Sequence, residues 1–258
     1  MNLGLEGRVA MVAAASKGIG FAVAQELLAE GCKVSICGRN REALDAALAS
    51  LSGAIGSTCD VSQSEDIESW FAHTRDNLGD PDILVTNTGG PPAGKWMLMS
   101  DEQWQSGFDS TVMNIVRMVR LATPKMVKNK WGRIVHITSL VARQPHDLLP
   151  ISSTLRSGLE ALTRLQSDEL ARYGVTVNSV LPGHTMTARQ LHLAEIRAER
   201  ESMSVDEVLA EQGRAIPVGR LAEASEIADV VTFLCSERAS YVTGIGVLVD
   251  GGIVRSVG

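Results

Sequence analysis

The sequence predicts a three-layer α/β domain, with one parallel sheet doubly wound by helices on both faces. Three observations predict it. Short apolar runs alternate with longer amphipathic segments along the whole chain. Those runs are apolar without polar alternation, as expected of parallel strands covered on both sides. No internal repeat, Pro/Ser-rich linker or low-complexity tract interrupts the pattern, so one domain is expected over residues 1–258. At 45% apolar residues the chain can fill one large core.

The elements follow in order. RVAMVAA (residues 8–14) reads as the first strand, and a glycine-rich turn leads it into a helix over 18–30. KVSIC (33–37) is the second strand and 41–51 a helix; AIGSTCDV supplies the third strand, followed by a helix over 64–78. DILVTN (82–87) precedes a long helix over 101–128, and RIVHITS (133–139) precedes a helix over 153–172. After VTVNSVL (175–181) comes a polar helical insertion over 187–213, then a helix over 224–235 and the closing strand GVLVD (246–250). The insertion is charged and lacks the apolar face wanted for membranes, which suits a mobile lid over a substrate site, with an oligomer contact as the alternative.

Charge and cysteines narrow the function. The formal net charge of −6 is spread without blocks of like sign, so neither nucleic acid nor an anionic membrane is the expected partner, and a small molecule is. The N-terminus lacks the basic region and apolar run of a signal peptide, and no segment approaches about 18 uninterrupted apolar residues. A soluble, cytoplasmic protein is expected. Cys32, Cys37, Cys59 and Cys235 form no CxxC pair and read as small core residues, with no metal site and no disulfide.

The first strand runs into AAASKGIG (13–20) and then a helix. Gly18 and Gly20 let the backbone approach a pyrophosphate, and the helix behind them offers free N–H groups and a positive dipole end. Here the sequence resembles the short-chain dehydrogenase/reductase family, whose fingerprint is TGxxxGxG. Ala13 and Ala14 replace the Thr-Gly, while Gly18, Ile19 and Gly20 match; Ala14 fits if its turn needs no positive φ. Ser16 and Lys17 complete the loop.

Further landmarks extend the resemblance over almost the whole chain. Asp60 and Val61, in CDV, match the segment that meets the adenine. Asn87 and Gly89, in NTGG, stand for the family's NNAG. Pro182, Gly183, Thr185 and Thr187, in PGHTMT, match the loop that brackets the nicotinamide, and VDGG (249–252) the closing strand. The resemblance implies a Rossmann fold, a nicotinamide dinucleotide, and a homodimer or homotetramer paired through the helices over 101–128 and 153–172. An NAD enzyme places an acid at the end of the second strand. CGRN stands there instead, so Arg39 with Lys17 favours NADP(H) over NAD(H).

The chemical end departs from the family. Ser139, in HITSL, fits the serine that polarises a carbonyl. Thirteen residues on, where the family has its tyrosine, stands Ser152, and four beyond it Arg156 replaces the lysine. SGLEALT (157–163) supports that register. The two tyrosines, Tyr173 and Tyr241, are followed at the fourth position by Val177 and Ile245, so YxxxK is absent. Thr111 takes the place of the family's relay asparagine, with Asn114 one turn away. A serine hydroxyl is too weak an acid to serve as a general acid/base, and guanidinium does not act as a proton relay. Arg156 suits ribose hydroxyls or a substrate anion; Ser152 or Ser153 also suits a helix cap.

His146, beside Asp147 in RQPHDLLP, is the expected replacement proton donor. His184, in the nicotinamide loop, is a weaker candidate, and His136 is expected to be buried. GGPPAGKW (89–96), stiffened by Pro91 and Pro92, is expected to wall the cleft. The expected function is an NADP(H)-dependent oxidoreductase acting on a carbonyl or secondary alcohol, the 3-oxoacyl type among the candidates, with a non-standard catalytic site. The alternatives are a non-redox isomerase or dehydratase, or a nucleotide-binding pseudo-enzyme, on the same scaffold.

Overall fold

The computed structural model describes residues 2–255. Seven strands, β1 (Val9–Val12), β2 (Lys33–Gly38), β3 (Ile55–Thr58), β4 (Ile83–Thr86), β5 (Gly132–Ile137), β6 (Val175–Pro182) and β7 (Gly246–Val249), form one sheet in the order 3-2-1-4-5-6-7. Every neighbouring pair is parallel, with Ala10 in register with Val34 on one side and with Ile83 on the other. The winding reverses between β1 and β4, and a cleft opens there beyond the carboxyl ends of the strands.

Helices α1 (Gly18–Ala29), α2 (Arg41–Ser50) and α9 (Ala224–Cys235) cover one face; α3 (Ser64–Leu78), α5 (Asn114–Asn129) and α6 (Pro150–Leu170) cover the other. Strand residues alternate between the two layers. Ala10 and Val12 of β1 join Val23, Leu27 and Val231 on the first face. Met11, between them, joins Trp70, Phe71 and Met118 on the second. Both sets are apolar, which is why the strands read as continuous runs.

Three features depart from the sequence reading. The long helix over 101–128 is divided: α4 (Asp101–Phe108), opened by a Ser100/Gln103 capping box, meets α5 through a wider π-type turn, Asp109–Met113. The helix read as 153–172 begins earlier, with Pro150 in its first turn, where a missing N–H costs nothing. Its cap, Leu149, makes no side-chain cap bond, so Ser152 and Ser153 lie inside the helix and the capping role is corrected. The insertion is a hairpin of α7 (Ala188–Glu201) and α8 (Val205–Ala215), broken at Ser202 with φ 55° and restarted by a Ser204/Glu207 capping box. All four cysteines are buried and free. Among the described residues no helix is long and apolar enough to cross a membrane.

Candidate active site

A cleft of about 930 Å³ runs across the ends of the central strands. Its first wall is the turn from β1 to α1. Ala13 N donates to Val85 O of β4 (3.0 Å) and Ala15 N to Cys37 O of β2 (2.8 Å), so the chain is held from both neighbouring strands and must invert between them. Ala14 therefore takes φ 48°, the left-handed region. The expectation that this turn needs no positive φ is corrected: the conformation that favours glycine is kept with a methyl group in place.

Asn87 Nδ2 donates to Ala14 O (3.3 Å). A Cβ on Gly20 would stand 2.8 Å from that oxygen and 2.9 Å from Asn87 Nδ2, so only glycine fits. Gly18, at φ 61°, opens α1, whose cap Lys17 is extended and makes no side-chain bond. The first-turn N–H groups are left uncapped beside the cleft, which Ser16, Lys17, Gly18 and Ile19 all line.

At the far end Arg39, with 74% of its side chain exposed, stands 4.0 Å from Asp60. Asp60 accepts from Ser62 N (3.0 Å) and Ser62 Oγ (2.8 Å), and Val61 lies beside it on the cleft wall. Opposite the β1–α1 turn runs the segment after β6. Gly183 N donates to Val249 O (2.9 Å), Thr185 bridges to Ala222, and Thr187 caps α7 by accepting from Gln190 N (3.3 Å). Pro182, Gly183, Thr185 and Thr187 face the cleft, as do Asn87 and Gly89. Gly90, Pro91 and Pro92 also line it, so the first half of GGPPAGKW forms a wall, while residues 93–96 lie outside the lining.

The chemical end is formed by Ser139, Ser152 and Arg156. Ser139 is extended after β5, and its Oγ accepts from Val141 N (3.3 Å) in a short 3₁₀ turn. Ser152 and Arg156 lie one turn apart on α6 and are 7% and 6% exposed. Arg156 Nε donates to Ser152 Oγ (3.1 Å), and its Nη1 donates to Ile137 O (3.2 Å). Among the described residues no carboxylate pairs with Arg156. Burial, and then the charge of Arg189, push its guanidinium down to about 10, so it stays cationic at neutral pH. Arg156 is therefore a buried cation on the cleft wall and not a solvated surface one. Beneath the cleft a small recess joins Asn87, Thr111, Asn114 and Arg156, and the buried Thr111 Oγ1 has no protein partner.

His146 is not brought to this cleft. Its side chain is 51% exposed, its Nδ1 accepts from Leu148 N (3.2 Å), and it stands 3.5 Å from Asp147, which pairs with Lys95. The loop closes on itself through Gly94 N to Leu148 O and His146 N to Ser153 Oγ. His146 is not among the residues that line the cleft, so the geometry lends its expected role as proton donor no support. His184, within the PGHTMT segment, stands 3.5 Å from Gln190, and burial lowers its pKa. His136 is fully buried in β5, accepting from Thr86 Oγ1 and donating from Nε2 to Gln166 Oε1, both at 2.8 Å.

Sequence reasoning did not single out Arg189, at the start of α7. It lines the cleft, its Nη2 donates to Pro91 O (2.8 Å), and burial lowers its pKa. The available signal was a cation two residues beyond the PGxxxT loop.

A family profile described as enoyl-(acyl carrier protein) reductase matches residues 13–254. The chain is 34% identical over 259 residues to the 3-oxoacyl-[acyl-carrier-protein] reductase FabG of Pseudomonas aeruginosa, covering 98% of this chain and 100% of that one. It is 33% identical to the human dehydrogenase/reductase SDR family member 4, covering 96% of this chain and 88% of that one. The crystal structure of L-sorbose reductase from Gluconobacter frateurii, complexed with NADPH and L-sorbose, superposes with a TM-score of 0.94 at 29% identity, covering 100% of both chains.

Proposed function

Since the chain belongs to the short-chain dehydrogenase/reductase family, a family of nicotinamide-dependent oxidoreductases, we propose that it reduces a ketone to a secondary alcohol with NADPH, at a site that activates the carbonyl by paired serine donors. Ketones of 3-oxoacyl type are the first class to try, given the relative in Pseudomonas aeruginosa.

One observation carries this reading. Each of the two serine oxygens already accepts a hydrogen bond, Ser139 Oγ from Val141 N and Ser152 Oγ from Arg156 Nε. Each hydroxyl proton is thereby left to donate to a ligand in the cleft. Two preset donors on one carbonyl oxygen stabilise the negative charge that develops there, as an oxyanion hole does. The Arg156 charge behind Ser152 strengthens that donor.

The residues present fit the dinucleotide. The uncapped N-terminus of α1 and the loop from Ala14 to Gly20 would hold the pyrophosphate, Asp60 and Val61 the adenine, and Thr185 and Thr187 the nicotinamide. Arg39 and Lys17 would meet a 2′-phosphate, and the similar L-sorbose reductase was crystallised with NADPH. The bound cofactor supplies the hydride. Ser139 and Ser152 hold the substrate oxygen as it gains charge. Neither ionises at neutral pH, so the proton for that oxygen comes from water entering the open cleft.

The α7–α8 hairpin acts as the lid. The reading includes a cytoplasmic enzyme that pairs as a homodimer or homotetramer through α5 and α6, where Leu165 is 66% exposed.

Calorimetric titration with NADPH and NADH, beside an NADPH-oxidation assay on ketones and 3-oxoacyl thioesters, tests the proposal. NADPH binds more tightly than NADH, and Ser139→Ala and Ser152→Ala each lower kcat by roughly 10²-fold. NADPH binding with no oxidation across the panel would replace this reading with non-redox chemistry on the same scaffold.

A further inference from the structure

The chemical end of the cleft holds positive charge that the protein does not balance. The lining contains Lys17, Arg39, Arg156 and Arg189 against a single carboxylate, Asp60, in a chain of net charge −6. Asp60 lies at the adenine end beside Arg39. Among the described residues, Arg156 and Arg189 are thus left as two guanidinium groups with no carboxylate partner. A buried cation without a partner is costly, and sites that keep one are sites where a ligand brings the opposite charge.

Neither guanidinium is used up by the fold. Arg156 spends Nε on Ser152 and Nη1 on Ile137 O, and Arg189 spends Nη2 on Pro91 O, out of five N–H donors each. These bonds fix the planes of the groups and leave their other edges free. Arg189 is also fitted to its place. A Cβ on Gly90 would stand 3.2 Å from its Nη2, so the guanidinium lies close against this segment of the wall. The two cations sense each other, since Arg189 is the second cause of the lowered Arg156 pKa.

We propose that Arg156 and Arg189 form a carboxylate-binding subsite, and that the natural substrate is an oxo acid: a ketone carrying its own carboxylate, held by the arginines while its carbonyl meets Ser139 and Ser152. The planar forks of arginine match the two oxygens of a carboxylate. The dinucleotide's phosphates are the other source of such charge, and they already have the N-terminus of α1 and Lys17. This inference rests on the reductase reading and gives it a substrate class.

The experiment compares matched probes that differ only in charge: acetoacetate with methyl acetoacetate, and levulinate with methyl levulinate. NADPH oxidation is measured with wild-type protein, Arg189→Gln and Arg189→Lys, with NADPH affinity measured for each. Wild type favours the acids over the esters in kcat/KM by roughly tenfold or more. Arg189→Gln brings the acid-to-ester ratio toward one with little change in NADPH affinity, and Arg189→Lys recovers part of it.

Equal use of acids and esters by wild type would overturn the inference, while the reductase reading stands. So would an Arg189→Gln variant that loses tenfold in NADPH affinity and keeps its acid-to-ester ratio, which would give the guanidinium to the pyrophosphate. If NADPH binds and no probe is reduced, the reductase reading fails on these substrates. Calorimetric titration of the NADPH complex with levulinate then decides the subsite: binding that Arg189→Gln removes supports it, and absence of binding overturns it.

Discussion

Ala14 shows how the surroundings of one residue can dictate a conformation its side chain resists. Hydrogen bonds from Ala13 to β4 and from Ala15 to β2 leave residue 14 to reverse the chain, and it does so at φ 48°. A left-handed alanine costs about 1–2 kcal/mol, while glycine costs about 0.5–1 kcal/mol more in unfolded-chain entropy. Ala14→Gly is therefore expected to stabilise the protein by about 0.5–1 kcal/mol in urea unfolding, with NADPH affinity retained. An unchanged or lower midpoint would mean that the turn relaxes away from this conformation. The missing glycine was legible in the sequence; the positive φ was not, because it is imposed by strands 20 or more residues away in the chain. The same limit hid Arg189. Its proposed role rests on its pairing with no carboxylate among the described residues, which no motif encodes. His146 is the opposite case. Its position between Ser139 and Ser152 was suggestive, but the loop turns its imidazole onto Asp147 and Leu148.

Among the elements, α7 and α8 stand apart energetically. They bury a small cluster of their own, Ala194, Ala198 and Val208, separate from the two main cores. Met203, Val205 and Leu209 pack half-buried against it, and polar contacts add to the hairpin: Arg197 to Glu201 and to Glu211, both at 2.8 Å, and Gln190 to Gln212 at 2.7 Å. Exposed ion pairs contribute under about 1 kcal/mol each, so little prevents this hairpin from opening independently of the sheet. Amide exchange is expected to be faster in α7 and α8 than in α5 and α6, and to slow on addition of NADPH. Uniform exchange across all four helices would remove the lid from the proposal. The insertion was legible as polar and helical, but its break was not, since Ser202 adopts a left-handed conformation that its sequence does not announce. The turn between α4 and α5 was hidden for a related reason: helical periodicity continues through it while the hydrogen bonding widens over five residues.

Over the whole molecule the topology was the most legible feature, because strands covered on both faces must be apolar throughout and the connecting helices must be amphipathic. The middle of that sheet nevertheless contains a titratable group with no outlet. His136 lies between Thr86 of β4 and Gln166 of α6, and its hydrogen bonds suit the neutral ring, with Nδ1 accepting and Nε2 donating. Burial lowers its pKa from 6.5 to about 4, with the Gln166 bond opposing. The unfolded chain therefore takes up a proton below about pH 6.5 that the folded chain refuses until about pH 4. Proton uptake favours the state that binds more, so stability falls as pH drops through that window, by about 3 kcal/mol in all. Glu160, whose carboxyl burial pushes up, opposes part of this loss. Urea unfolding between pH 7 and pH 4 is expected to show the decline, and His136→Gln to flatten it even if the variant starts from a lower stability. A proton NMR titration gives an independent check. The His136 ring signal stays unshifted down to about pH 5 in the folded protein, and a midpoint near 6.5 would show that the ring is reached by water and that the sheet tolerates its charge.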